Sequence, residues 1–240
     1  MRNRGPGNMS SVSIDYIINN SEAFGNNKPR LLLHSCCAPC SSYCLVYLRE
    51  YFDITCLYYN PNITEREEYE KRCGELERLA QQLNNDAVFV RGGELTFAGD
   101  KGVSEDFPKL GEDINPIKVI TRDFDPDSFI EAATAANLTG CPERGERCTM
   151  CFMMRLSGTY EVAQAEGFDY FTTSLTISPL KNASLINSIG DGIARDGIKD
   201  GPVWLESDFK KKNGYKISTQ LSGRYGLYRQ NYCGCIYSKR

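Results

Sequence analysis

The chain has 240 residues, 41% hydrophobic and 25% charged, a globular composition that excludes disordered, collagenous and low-complexity classes. Its formal net charge is −3, which argues against a polyanion-binding surface spread over the whole molecule. The longest uncharged stretch, residues 31–48, is interrupted by His34, Ser35, Pro39, Ser41 and Ser42, and no apolar run precedes a cleavage site, so a cytoplasmic protein with no membrane partner is expected.

Residues 12–23 predict a short leading helix, and 31–34 a buried strand. A loop over 35–40 then leads into a helix over about 41–51. Residues 54–59 read as a second strand, Asn60-Pro61-Asn62 as a turn, and Thr64-x-x-Glu67 as a capping box. The helix after it repeats Tyr69, Cys73, Leu76, Ala80 and Leu83 at helical spacing, which makes Cys73 a core residue. Residues 87–90 predict a third strand. Residues 91–120 show no period and read as an irregular loop or insertion. Asp125-Pro126 opens a helix running to about 136. After a charged loop over 141–147, a helix from about 149 turns Phe152, Leu156, Tyr160 and Ala163 inward and stops at Gly167. Strands over 170–174 and 203–205 follow, with a helix after Ser178-Pro179 and one or two more from Gly214. The sum is an α/β fold: about five parallel strands in a doubly wound sheet with covering helices.

Eleven cysteines, at 36, 37, 40, 44, 56, 73, 141, 148, 151, 233 and 235, call for metal or redox chemistry in a reducing compartment. A single histidine, His34, excludes sites that need two imidazoles, so metal here means thiolates. Cys36, Cys37 and Cys40 lie in a strand-to-helix loop, where a helix N-terminus favours thiolates. No glycine falls between 35 and 42, so a phosphate loop is absent. Cys148-x-x-Cys151 at a second helix start, with two of the first three, would supply four thiolates for zinc or for a [4Fe–4S] cluster. Spacing does not separate the two. Cys233-Gly234-Cys235 could close only a small strained ring, suited to redox cycling. Cys44, Cys56 and Cys73 read as packing. From residue 206 onward, eight lysines and arginines face two acidic residues, a basic tail on an acidic body that would suit nucleic acid.

These residues fall into five separated motifs: Leu31-Leu32-Leu33-His34-Ser35-Cys36-Cys37-Ala38-Pro39-Cys40, Glu146-Arg147-Cys148-x-x-Cys151-Phe152, Ser178-Pro179-x-Lys181-Asn182, Ser207-Asp208-Phe209-Lys210-Lys211-Lys212-Asn213-Gly214-Tyr215 and Tyr228-Arg229-Gln230-Asn231-Tyr232-Cys233-Gly234-Cys235. In this order they resemble the QueH-type epoxyqueuosine reductases from about residue 28 to 240. A longer 92–118 segment and Cys141 stand outside the family pattern. The resemblance implies a compact parallel sheet of the HUP (adenine nucleotide α-hydrolase-like) type without its phosphate loop. It also implies an N-terminal extension over 1–27, a single catalytic domain over 28–240, and an insertion at about 92–118.

The implied activity is cobalamin-independent two-electron removal of the epoxide oxygen of epoxyqueuosine at the wobble position of tRNAs with GUN anticodons. That is the last step of queuosine synthesis, and it needs an external electron donor. By similarity, Cys36, Cys37, Cys148 and Cys151 hold a [4Fe–4S] cluster, Cys40 stands where the ligand of an additional mononuclear iron would come from, and Cys233 with Cys235 form a redox-active disulfide. Lys210, Lys211, Lys212, Lys216, Arg229 and Tyr232 would meet the tRNA, and Asp208 and Tyr232 stand in motifs where a proton donor could sit. Two rivals compete: a four-cysteine zinc module that binds RNA without turnover, and an ATP-using sulfur transferase, which the absent glycine-rich loop disfavours.

Overall fold

The computed structural model describes residues 9–21, 27–98 and 108–239; residues 22–23 of the expected leading helix, and much of the expected insertion, lie outside them. The main sheet contains six strands, β1 (Ser11–Ser13), β2 (Arg30–His34), β3 (Asp53–Tyr58), β6 (Lys118–Thr121), β7 (Tyr170–Thr173) and β8 (Val203–Glu206), in the order β1-β8-β7-β2-β3-β6. Every neighbouring pair is parallel. The α/β class with a parallel sheet and covering helices is therefore as expected from the sequence.

Side chains alternate across each strand, and this splits the apolar runs between two faces. Leu31 and Leu33 face one layer with α2 (Ala38–Leu48), α3 (Arg66–Asn85) and α7 (Gly214–Arg224). Leu32, Phe171 and Trp204 face the other, with α5 (Glu146–Ala165) and α6 (Ala183–Asp196). The three leucines are fully buried, each contributing about 2 kcal/mol of transfer free energy. Phe152, Leu156, Tyr160 and Ala163 of α5 point inward as their spacing predicts, and the helix ends before a left-handed Gly167. A Cβ on Gly190 of α6 would lie 2.3 Å from the Trp204 ring, so that crossing requires glycine.

Five local expectations are corrected. Residues 11–13 form β1 along β8, and only Ile14–Asn19 (α1) is helical, because the sheet edge claims the first residues. The helix α2 begins at Ala38, with Pro39 in its first turn, so Cys40 is helical. The Thr64/Glu67 capping box does not form: Thr64 N–H donates to the Gly234 carbonyl at 3.2 Å, and Glu65 caps α3 without a side-chain bond. Here a long-range contact overrides a local one. Finally, β4 (Val88–Arg91) leaves the main sheet and pairs antiparallel with β5 (Glu94–Phe97). Gly92 and Gly93 both have positive φ, the requirement of a tight type I′ hairpin, and β6 takes the expected position beside β3. Cys73 is half-buried against the core and not within it. Between α4 (Pro126–Ala135) and α5, the buried Arg147 gathers the carbonyls of Leu138, Thr139 and Cys141.

The chain runs from β2 to β3 in one direction and from β7 to β8 in the other, which makes the carboxyl ends of β2 and β7 the topological switch point. Open α/β sheets bind ligands there. Among the described residues, no helix is long and apolar enough to cross a membrane.

Candidate metal centre and its surroundings

The first cysteine group sits at that switch point. Cys36 and Cys37 follow β2, and Cys37 is the N-cap of α2. Their backbone is fixed from three sides. Ser35 N–H donates to the Leu57 carbonyl, Asn60 Nδ2 donates to the Ser35 carbonyl at 3.0 Å, and Cys36 N–H donates to Ser174 Oγ at 3.2 Å. His34 closes the end of β2: Nδ1 meets Thr173 Oγ1 at 2.7 Å and Nε2 meets the Tyr59 carbonyl at 3.0 Å. Burial, then nearby Arg155, lowers its pKa to about 3, so this histidine is a neutral structural clamp.

The Sγ atoms of Cys36, Cys37 and Cys40 all lie within 4.8 Å of one another. Those of Cys36 and Cys37 are 3.8 Å apart, close to the spacing of two thiolates on one tetrahedral ion with metal–sulfur bonds of about 2.3 Å. Hydrogen bonds from Cys37 and Cys40 hold Cys36 well below the usual thiol range, and Lys181 and Arg155 add to the effect. The same sharing pushes Cys37 up to about 11 and raises Cys40. The trio thus carries one favoured thiolate that accepts from two thiols.

The second pair is divided. Cys148, near the start of α5, accepts the Arg144 N–H at 3.2 Å and packs against the apolar cluster that contains Cys36 and Cys37. Cys151 packs with Phe129 and Cys235, and burial raises its pKa. The structure thus brings Cys36, Cys37 and Cys40 into one tight ligand group; Cys148 packs with the cluster of Cys36 and Cys37, and Cys151 with that of Cys235. Cys141 lies in the loop gathered by Arg147.

Two cations that received no role from the sequence complete the centre. Arg155 is buried, and its Nη1 lies 3.9 Å from Cys151 Sγ. Another guanidinium nitrogen donates to Asn60 Oδ1, while Nε has no partner. Among the described residues, no carboxylate pairs with it. Lys181 arrives from the loop after β7; burial opposes its charge, but the Cys36 and Cys40 sulfurs raise its pKa. A buried arginine without a carboxylate is costly unless an anion faces it. Clustered thiol donors ringed by two uncompensated cations fit an anionic metal–thiolate group. The signals were present: Arg155 follows Cys151 by one helical turn, and Lys181 stands in a motif already singled out.

The Cys233-Gly234-Cys235 segment is held against α3. Arg72 donates to the Cys233 carbonyl at 3.1 Å and to the Tyr232 carbonyl at 3.2 Å, and Asn62 Nδ2 donates to the Cys233 carbonyl at 3.2 Å. Gly234 has φ +96°, and a Cβ there would lie 2.7 Å from Ile63, so the turn requires glycine. All eleven cysteines are free thiols, so this pair stands as a dithiol. A hydrogen bond from Cys235, helped by Ser238 at 2.9 Å, lowers Cys233 to about 5, and Cys235 is correspondingly raised. Cys151 packs beside both.

The basic residues are less uniform than the sequence implied. Lys210 is tied to Asp208 at 2.8 Å and to the Thr176 carbonyl at 3.0 Å, and Lys212 to Asp15 at 2.6 Å. Lys211, Lys216 and Arg229 are exposed. Tyr232 turns its hydroxyl toward Glu65 at 3.5 Å, and Asp208 lines a neighbouring cavity of about 210 Å³ with Tyr43, Tyr47 and Glu206. A separate cleft of about 180 Å³ has Cys40 in its wall, with Leu180, Tyr215, Arg229 and Gln230 around it.

Fold and site together define a thiol-centred α/β protein whose reactive sulfurs occupy the ligand-binding end of a doubly wound sheet. The family model described as Epoxyqueuosine reductase QueH matches residues 31–99 and 102–240. The chain belongs to that family. Relatives of that description include proteins from Staphylococcus epidermidis (37% identical, covering 88% of this chain and 76% of the relative), Streptococcus pyogenes (37%, 89% and 71%) and Haemophilus influenzae (33%, 90% and 73%).

Proposed function

We propose that this protein is a cytoplasmic oxidoreductase that removes the epoxide oxygen of epoxyqueuosine at the wobble position of tRNAs with GUN anticodons. The supporting observation is a family match spanning both cysteine regions, coupled to a buried thiol cluster at the sheet's switch point. In this reading Cys36, Cys37, Cys148 and Cys151 hold a [4Fe–4S] cluster, Cys40 contributes to an additional iron, and cobalamin is not used. When bound, these groups supply single electrons and a Lewis-acidic centre.

The chain's own residues do the rest. Epoxide plus two electrons and two protons gives alkene plus water. Oxidation of the pair, held as a thiolate at Cys233 and a thiol at Cys235, to a disulfide releases two electrons and one proton, so one pair supplies the electrons for one epoxide and the second proton comes from solvent. An external donor then returns the disulfide to the dithiol. Cys235, the thiol that stays protonated, is the proton-bearing member, and Arg72 and Asn62 hold the segment in place. Arg155 and Lys181 face the negative charge of the metal–thiolate group. Asp208 and Tyr232, engaged elsewhere, are replaced by Cys235 as the proton source.

The test is anaerobic purification with iron, sulfide and zinc analysis, a visible spectrum before and after dithionite, and turnover on RNA carrying epoxyqueuosine. Brown protein that bleaches on reduction and forms queuosine is the expected result. Colourless zinc protein that stays so after reconstitution and yields no queuosine would overturn the reading in favour of a zinc RNA-binding module.

A further inference from the structure

Beside the cysteine trio lies the 180 Å³ cleft, and its lining is unusual for a solvent-facing surface. Leu180 is 59% exposed and Tyr215 44% exposed, both on the same cleft. Large apolar side chains placed together at a surface mark a binding site more often than chance. The loop after β7 places Leu180 in the cleft wall, and the charge of the next residue, Lys181, is favoured by the Cys36 and Cys40 sulfurs. Tyr215 stands in the first turn of α7 after two consecutive left-handed residues, Lys212 and Asn213. Gly214 permits that turn, since a Cβ there would strike the Phe209 carbonyl oxygen.

A second observation is independent of exposure. Gln230 lines the cleft, and its side-chain Oε1 is buried without a partner. Buried acceptors are nearly always satisfied, so an orphan on the wall of an open cleft points to a donor that arrives with a ligand. Arg229, exposed beside it, supplies a cation of the kind that meets a phosphodiester.

We propose that this cleft receives the modified base, turned out of the RNA strand, with Tyr215 as its stacking partner and Gln230 Oε1 as acceptor for an N–H or O–H of the base. The assignment rests on the reductase reading and deepens it by naming how the substrate is held. Aromatic stacking suits any planar base; selectivity for the modified one comes from Gln230, whose unpartnered Oε1 belongs to the cleft wall. The cleft places the base beside Cys40, so its epoxide is brought to the sulfur cluster without movement of the sheet.

The experiment compares binding and turnover of an anticodon stem-loop carrying epoxyqueuosine at the wobble position. Tyr215→Ala raises Kd and KM by roughly tenfold, the scale of one stacked base, with kcat little changed, and Tyr215→Phe restores both. Tyr16→Ala, an exposed ring on α1 away from the cleft, binds like wild type. Gln230→Leu weakens binding of the modified stem-loop while Gln230→Glu, which keeps an acceptor, binds more tightly than Gln230→Leu. Iron content, measured in every variant, separates substrate effects from damage to the metal centre. Wild-type turnover with Tyr215→Ala binding as tightly as wild type would overturn the cleft assignment alone. Wild-type protein that neither binds nor converts the modified stem-loop would overturn the reductase reading and the cleft with it.

Discussion

The two reactive cysteine groups are mounted in opposite ways. Cys36, Cys37 and Cys40 stand on the scaffold itself, between a central strand and the helix it feeds, with their backbone fixed by Leu57, Asn60 and Ser174. Cys233 and Cys235 lie on irregular C-terminal chain, gripped through backbone carbonyls by side chains of another element. The first arrangement suits donors that must keep one geometry, as metal ligands do. The second leaves the sulfurs free to change partner while the peptide stays in place. Under the proposed function, ligation and cycling would draw on different mechanical supports in one fold.

The comparison breaks most visibly at Cys36. Cys36→Ser is expected to abolish metal loading and turnover, while Cys73→Ser, a half-buried thiol on α3, keeps both; iron analysis and product assay decide it. If the two variants behave alike, the scaffold-borne group has no special status. A pH titration comes next. In reduced protein the Cys233 thiolate forms as pH rises through about 5, so alkylation there stays fast at neutral pH, where an ordinary thiol of pKa about 8.5 is mostly protonated. Because this folded pKa is depressed, the thiolate's contribution to stability is complete above about pH 9 and disappears as pH falls through about 5. Alkylation half-maximal near 8.5 would remove the distinction between the two groups.

Arg72→Ala tests the grip. It deletes a buried ion pair with Glu68 at 2.6 Å together with the bonds to Tyr232 and Cys233, and should cost about 3 kcal/mol in denaturant unfolding. A loss below about 1 kcal/mol would show the C-terminal chain to be held otherwise. Gly234→Ala should cost about 1–2 kcal/mol through its left-handed backbone and the Ile63 contact. The smallest effect belongs to the surface charges. Lys211→Ala and Lys216→Ala should each lower the salt slope of RNA binding by about one, whereas Lys210→Ala, already paired to Asp208, leaves it unchanged.

Much of this was legible in the sequence. The parallel strands showed as short apolar runs, the inward face of α5 as Phe152, Leu156, Tyr160 and Ala163, and the reactive thiols as three clusters. What escaped depended on distant partners. The Thr64 cap lost its N–H to Gly234, 170 positions away, and residues 11–13 became a strand only because β8 presented an edge. Gly92-Gly93 was readable as a hairpin turn, but the irregular composition after it masked β5 and β6. Arg155 and Lys181 carried only spacing and motif position as signals, and the burial that sets Arg155 beside Cys151 appears only on folding.

The contacts that complete each group also set the order in which the molecule is made. Ser174 reaches Cys36 across 138 positions, and Cys233 reaches Arg72 across 161. During synthesis Cys36 and Cys37 leave the ribosome long before Ser174 and Lys181 exist, and the Arg72 grip has nothing to hold until Tyr232 and Cys233 emerge. Contacts this distant in sequence form slowly and late. Until Ser174 follows, the nascent chain carries Cys36 and Cys37 without this supporting contact.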